Sequence, residues 1–133
     1  MSILFRLLLL CCLWGCSSTP EGQLRYAREH AFIRRWPAPA GSHGLRLAVK
    51  DNIDMQGSVT SAGSEYLAKN SPPAAADAAC LTLARERGVN FVGKTNLTEF
   101  AVSVAGENRY FGSPRSLLDG RQYVIPGGSS SGS

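Results

Sequence analysis

The chain has 133 residues, of which 44% are hydrophobic, and a net charge of +4 from 14 basic and 10 acidic residues. This length is ordinary for one domain, and the hydrophobic share argues against a disordered chain. The positive charge is small and is not gathered into a cluster, so we expect no nucleic-acid partner.

The first sixteen residues predict an export signal. Residues 7–14 are unbroken apolar sequence after Arg6. The run is shorter than the roughly 20 residues that span a bilayer, and its positive flank is typical of a secretory signal. Leu13-Trp14-Gly15-Cys16 resembles the signal box of bacterial lipoproteins, although Trp14 is bulkier than that pattern. We expect an exported protein of the bacterial envelope, anchored in the periplasm through lipid on Cys16; a soluble secreted product and an uncleaved anchor are the alternatives.

Residues 17–44 predict a polar tether followed by a weak helix. The apolar residues of 24–36 are loosely spaced at helical intervals, and Pro37 and Pro39 end the pattern. Leu45, Leu47 and Val49 then recur at a spacing of two, which predicts a strand with one buried face. That strand ends at Lys50, where a sheet commonly presents functional side chains.

The second half of the chain predicts a helix, a strand and another helix. Residues 74–87 are rich in helix formers, Gly88 is a fitting stop, and Cys80 within the run is expected to be a small buried hydrophobe. Residues 89–92 predict a short buried strand. Asn96 with Glu99 predicts the start of a helix that runs through residue 102. The order of these elements indicates an α/β fold.

Residues 88–95 match the phosphate-binding pattern G-x-x-x-x-G-K-[ST]. In a true phosphate loop Lys94 would reach the terminal phosphates and Thr95 would hold magnesium. The pattern requires a strand before the first glycine, whereas Gly88 follows a predicted helix, and the intervening residues predict a strand rather than a loop. We therefore expect no nucleotide site here.

Five short segments, in the same order along the chain, resemble the amidase-signature family. Each segment alone is weak, but five in order from about residue 45 to residue 133 are specific. They are residues 48–53 (Ala-Val-Lys-Asp-Asn-Ile), 61–64 (Ser-Ala-Gly-Ser), 93–101 (Gly-Lys-Thr-Asn-Leu-Thr-Glu-Phe-Ala), 108 with 111–112 (Asn and Phe-Gly), and 127–133 (Gly-Gly-Ser-Ser-Ser-Gly-Ser). The family commonly has Asn-Pro after Phe-Gly, where this chain has Ser113-Pro114. The resemblance implies that residues 45–133 are the N-terminal part of the amidase-signature fold, an incomplete mixed β-sheet core flanked by helices.

The resemblance also implies a Ser-Ser-Lys mechanism acting on a small-molecule amide, with no metal or cofactor. Lys50 matches the family's catalytic lysine, which must be neutral to accept a proton, and burial favours the neutral form. Ser129 matches the family's bridging serine, which relays the proton and follows a cis peptide bond, so Gly128–Ser129 is expected to be cis. The catalytic set carried over is therefore Lys50 and Ser129.

The attacking serine of the family belongs to a second Gly-Gly-Ser segment, whereas these residues contain one such segment, at 127–129. We therefore expect this chain to be a fragment that is inactive by itself. Two other functions remain open: a relative of the amidotransferase component that hydrolyses glutamine for transfer-RNA-dependent amidation, and a non-catalytic envelope lipoprotein. In this fragment we expect residues 129–133 to form a flexible tail, which the intact enzyme would order. A Ser-His-Asp site on His30 or His43 is a weaker alternative.

Overall fold

The computed structural model describes residues 30–37, 40–115 and 125–133. Its helices and strands lie in the first two ranges. They are β1 (Phe32–Arg35), β2 (Arg46–Lys50), α1 (Glu65–Asn70), α2 (Thr82–Glu86) and β3 (Asn90–Thr95), with 3-10 turns at Ala79–Leu81 and Glu99–Ala101. The predicted signal at residues 1–16, including Cys16, lies outside the described residues. No helix within the described ranges has the length and apolarity to cross a membrane.

The three strands form one mixed sheet in the order β1-β3-β2. The central strand β3 pairs antiparallel with β1 and parallel with β2. A parallel pair needs a crossover connection, and α1 and α2 lie in the connection between β2 and β3. The register places Lys50 opposite Thr95, so β2 and β3 end at the same edge of the sheet. The expected α/β fold is confirmed.

The core lies against one face of β2. Val49, Met55 and Leu81 are buried together, and the side chains of Trp36, Leu47, Ile53 and Phe91 pack around them. Val49 and Leu47 face this core at the predicted spacing of two, which confirms the strand. Leu45, the first residue of the predicted alternation, precedes β2 and is 79% exposed.

The helix predicted over residues 24–36 ends earlier than expected: His30 and Ala31 are helical, but residues 32–35 form β1. Phe32 and Ile33 are residue types that favour strands. The backbone of β1 hydrogen-bonds to β3, which follows it by nearly sixty residues. This long-range pairing outweighs a weak local helical spacing.

The helix predicted over residues 74–87 begins late. Residues 74 and 78 hydrogen-bond instead to the loop after β2: Ala74 exchanges backbone bonds with Gly57 and Ser58, and the Ala78 amide donates to the carbonyl of Asp54. Because these backbone groups bond to the loop, they do not form the hydrogen bonds of a helix. The 3-10 turn that follows buries Leu81 and leaves Cys80 exposed, so the prediction of a buried cysteine is wrong.

The helix predicted from Asn96 is a single 3-10 turn at Glu99–Ala101. Phe100 and Ala101 have positive φ angles of 50° and 59°, which an α-helix cannot contain. Asn96 is fully buried rather than capping a helix, and its side chain is used in long-range contacts that sequence spacing does not report.

Candidate active site

Lys50 and Ser129 come together although they are 79 positions apart. The Lys50 Nζ donates to the Ser129 Oγ over 2.7 Å. Lys50 is the last residue of β2, and Ser129 lies in the described end of the chain, residues 125–133. Both side chains are partly buried. The peptide bond Gly128–Ser129 is cis, as predicted.

The loop that carries Ser129 packs against the segment after β3. The Thr98 amide donates to the Ser129 carbonyl over 3.1 Å, and the Gly132 amide donates to the Asn96 carbonyl over 3.0 Å. A β-carbon at Gly132 would collide with the carbonyl oxygen of Ala31. Only glycine fits this close approach, and the loop is part of the folded site rather than a free tail.

Two buried asparagines hold the segment beneath the loop. The Asn96 side-chain amide donates to the carbonyls of His30 and Gly112, at 2.9 and 2.8 Å. The Asn108 amide donates over 2.8 Å each to the carbonyls of Gly63 and Leu97. Because each amide joins chain segments that are distant in sequence, the floor of the site is cross-linked by side chains.

A buried ion pair lies directly beside the edge of the sheet that carries Lys50. Lys94 Nζ and Asp51 Oδ1 are 3.1 Å apart, and each side chain is 1% exposed. Lys94 also donates to the Ile53 carbonyl over 2.6 Å. The other Asp51 carboxylate oxygen accepts from the Ser61 amide over 3.0 Å and from the Ser61 hydroxyl. Each charge is thus paired and hydrogen-bonded, as burial requires.

This pair also involves the lysine of the phosphate-loop pattern at residues 88–95. A phosphate loop presents its lysine at an open turn, but Lys94 lies within β3 and is committed to Asp51. Gly88 follows α2 rather than a strand. The expectation of no nucleotide site is consistent with both observations.

The backbone of His30 contacts the floor of the site through Asn96, whereas His43 lies in the loop before β2. His30 Nδ1 donates to the Phe111 carbonyl over 2.9 Å, and His43 is exposed in the turn before β2. Within the described ranges there is no group of three His, Cys, Asp or Glu side chains that could hold a metal ion. The candidate for acid-base chemistry in this structure is the hydrogen bond between Lys50 and Ser129.

Two exposed ion pairs each contain a side chain whose pKa is shifted. On α1, the hydrogen bond from Lys69 to Glu65 raises the pKa of the Lys69 ammonium. Arg85 on α2, together with the Gln56 amide, lowers the pKa of the Asp77 carboxyl. Neither pair contacts Lys50 or Ser129 through its described bonds, so they serve best as controls for the buried pair.

Lys50 and Ser129, which the structure brings together, were selected from the sequence, whereas Asp51, Ser61 and Lys94 were not. Their identities were visible within the matched segments, yet nothing in local spacing predicted that Asp51 would pair with Lys94. One signal was present: β3 passes without a break from apolar residues into polar ones at Lys94. Polar side chains that continue a buried strand must find buried partners.

Sequence comparison identifies the family of the chain. The family model described as Amidase matches residues 27–133. The chain is 43% identical over 90 residues to a glutamyl-tRNA(Gln) amidotransferase subunit of Syntrophobacter fumaroxidans, covering 68% of this chain and 18% of that protein. It is 39% identical over 110 residues to Amidase 1 of Oryza sativa subsp. japonica, covering 77% of this chain and 25% of that protein.

Solved structures give the same result. The crystal structure of a glutamyl-tRNA(Gln) amidotransferase subunit from Thermotoga maritima superposes with a TM-score of 0.65 at 31% identity, covering 87% of this chain and 27% of that one. The K. lactis urea amidolyase superposes with a TM-score of 0.62 at 28% identity, covering 95% and 8%. The chain thus spans less than a third of the length of each of these relatives. Because the family model covers most of these 133 residues, the chain belongs to the amidase family.

Proposed function

We propose that this chain supplies the base and the proton relay of an amidase that hydrolyses a carboxylic amide C–N bond by a Ser-Ser-Lys mechanism. The observation that carries the proposal is the 2.7 Å hydrogen bond between Lys50 Nζ and Ser129 Oγ. A lysine amine is a competent general base when it is neutral, and a serine hydroxyl can both accept and donate a proton.

Amide hydrolysis needs an activated nucleophile and a proton for the departing amine. In the proposed first step, the attacking serine passes its proton to Ser129 Oγ as its oxygen bonds to the carbonyl carbon. The proton of Ser129 moves to Lys50 Nζ at the same time. Collapse of the tetrahedral intermediate breaks the C–N bond, and the proton returns from Lys50 through Ser129 to the leaving nitrogen. Water then releases the acyl group along the same path.

The attacking serine is assigned to a second Gly-Gly-Ser segment, which these 133 residues do not contain. By this mechanism the chain alone holds a base and a relay and hydrolyses nothing. Oxyanion stabilisation, often the largest catalytic contribution, is assigned to that second segment too.

Two substrate classes are supported. Relatives at 42–43% identity are named as subunits of glutamyl-tRNA(Gln) amidotransferase, which favours glutamine as the amide. The rice relative at 39% identity is named Amidase 1, which favours a simpler amide hydrolase. We place the amide hydrolase first because the predicted export signal at residues 1–16 separates the protein from transfer RNA.

The test is ammonia release by the natural gene product that carries this sequence, with glutamine and with a panel of aliphatic and aromatic primary amides. Release from the panel without preference for glutamine is the expected result. Release from glutamine alone would support the amidotransferase alternative. No release from any amide would support the non-catalytic lipoprotein and sink the proposal. The 133-residue chain, assayed beside it, is expected to be silent throughout.

Lipid anchoring at Cys16 is a further part of the proposal. Expressed in a bacterium fed radioactive palmitate, the chain is expected to take up label, and Cys16→Ala is expected to abolish it. Cys12→Ala is the matched control, since it removes a neighbouring thiol from the apolar run without touching the signal box. Equal labelling of the wild-type and Cys16→Ala chains would contradict the anchor and leave a soluble or uncleaved product.

A further inference from the structure

We propose that the buried Asp51–Lys94 ion pair is a positioning device that sets the distance between Lys50 and Ser129. The inference rests on the proposed function, because the distance between Lys50 and Ser129 matters only if a proton passes between them. Asp51 and Lys94 touch no substrate in this proposal, and they act through the residues they hold.

The Lys50 side of the path is fixed by Asp51, the next residue in the chain. The Asp51 amide donates to the Thr95 carbonyl over 3.1 Å, and its carbonyl accepts from the Ala62 amide over 2.9 Å. Its carboxylate is held by Ser61 and by Lys94. With backbone and side chain both restrained, the end of β2 that carries Lys50 cannot shift without breaking the ion pair.

Lys94 is also linked to Lys50 through Ile53. Its ammonium donates to the Ile53 carbonyl over 2.6 Å, and the Ile53 amide donates to the Lys50 carbonyl over 3.0 Å. The Thr60 hydroxyl lies 3.3 Å from the same ammonium. One buried cation therefore fastens the turn that follows Lys50 onto the central strand.

The Ser129 side is fixed by the same stretch of chain. Residues 94–98 run continuously from Lys94 and are all at most 3% exposed. Within them Thr98 binds the Ser129 carbonyl, and Asn96 binds the Gly132 amide. Lys50 and Ser129 are therefore both anchored to one buried segment, which begins at the ion pair. Lys94 of the phosphate-loop pattern therefore begins the segment that holds both Lys50 and Ser129 in place.

The test reads Lys50 directly and needs no catalysis. The chain has three lysines, at positions 50, 69 and 94, so a chain labelled with ¹³Cε-lysine gives three resonances that single substitutions assign. Ser129→Ala removes the hydrogen-bond partner of Lys50 and should displace its resonance. The displacement is then measured again in Asp51→Asn and in Lys94→Met. Comparing one substitution in two backgrounds isolates the coupling between sites.

A positioning role predicts that the displacement shrinks in both backgrounds while the fold, monitored by circular dichroism, persists. Lys94→Arg, which keeps the charge, should restore part of it. Glu65→Gln breaks the exposed pair with Lys69 on α1 and is the matched control, which should leave the displacement at its wild-type size. A merely structural ion pair would lower the unfolding midpoint in the same variants and leave the displacement unchanged, and that result overturns the inference.

Ser61→Ala keeps the test decisive if the stronger variants unfold, since it removes one support of Asp51 and leaves both charges in place. It should reduce the displacement partly, and an unchanged value counts against the inference. If Ser129→Ala fails to move Lys50 even in the wild-type chain, the proton path itself is wrong. Failure of the proposed function can thus be distinguished from failure of the positioning role of the ion pair.

Discussion

Replacing Lys50 with methionine is expected to lower the rate of amide hydrolysis by the natural gene product about 10²–10⁴-fold, the usual contribution of a general acid-base group. Methionine keeps most of the side-chain volume and removes the amine that contacts Ser129 over 2.7 Å. The loss should fall on kcat rather than on KM, because proton transfer occurs in the transition state and not on binding. Steady-state ammonia release measures both constants.

Ser129→Ala should lose activity to a similar degree, and the double variant should be little worse than the more damaging single change. Residues that act as one unit are strongly non-additive. Lys69→Met is the matched control, because Lys69 is an exposed lysine whose salt bridge lies within α1. Full multiplication of the two single losses in the double variant would mean that Lys50 and Ser129 act independently, contrary to a relay.

Replacing Lys94 with methionine is expected to destabilise the fold by about 3–5 kcal/mol, the cost of leaving one member of a buried ion pair uncompensated. The Asp51 side chain, which is 1% exposed, would keep its bonds to Ser61 and lose its cationic partner. This loss is large against a typical domain stability of about 5–15 kcal/mol. Urea denaturation followed by circular dichroism measures it as a lower midpoint at unchanged slope.

Two further variants separate charge from packing. Lys94→Met combined with Asp51→Asn removes both charges and keeps an oxygen for Ser61, so it should recover much of the lost stability. Lys69→Met breaks an exposed pair that solvent screens, and it should leave the urea midpoint close to that of the wild type. A similar loss for Lys94→Met and Lys69→Met would show that burial of the Asp51–Lys94 pair does not matter.

Strands whose side-chain pattern is local to the segment were predicted correctly from the sequence. Alternation of side chains indicated β2, and the short apolar run before Gly93 indicated the start of β3. The resemblance to the family, rather than spacing, selected Lys50 and Ser129 and anticipated the cis bond at Gly128. Strand character in the residues before Gly93 was enough to set aside the phosphate loop.

The parts that depend on distant partners could not be predicted in this way. Residues 32–35 carry a weak helical spacing, and only the presence of β3 makes them a strand. Ala74 belongs to a good helical sequence, but the loop after β2 takes its backbone bonds. Asn96 is a residue type that favours the start of a helix, but in the structure its side chain joins the backbone of His30 to that of Gly112. In each case a long-range contact outweighs local propensity, and a single sequence does not record that contact.

The central strand of the sheet is also the last of the three to be synthesised. β1 and β2 emerge from the ribosome with no partner in the described sheet until β3 follows, some forty residues after β2. Contacts between residues so far apart form slowly, and unpaired strands are prone to aggregate meanwhile. We expect nascent chains that end before residue 90 to remain protease-sensitive and to recruit chaperones. Protection should arise in one step as β3 is completed, with the Ser129 loop docking last.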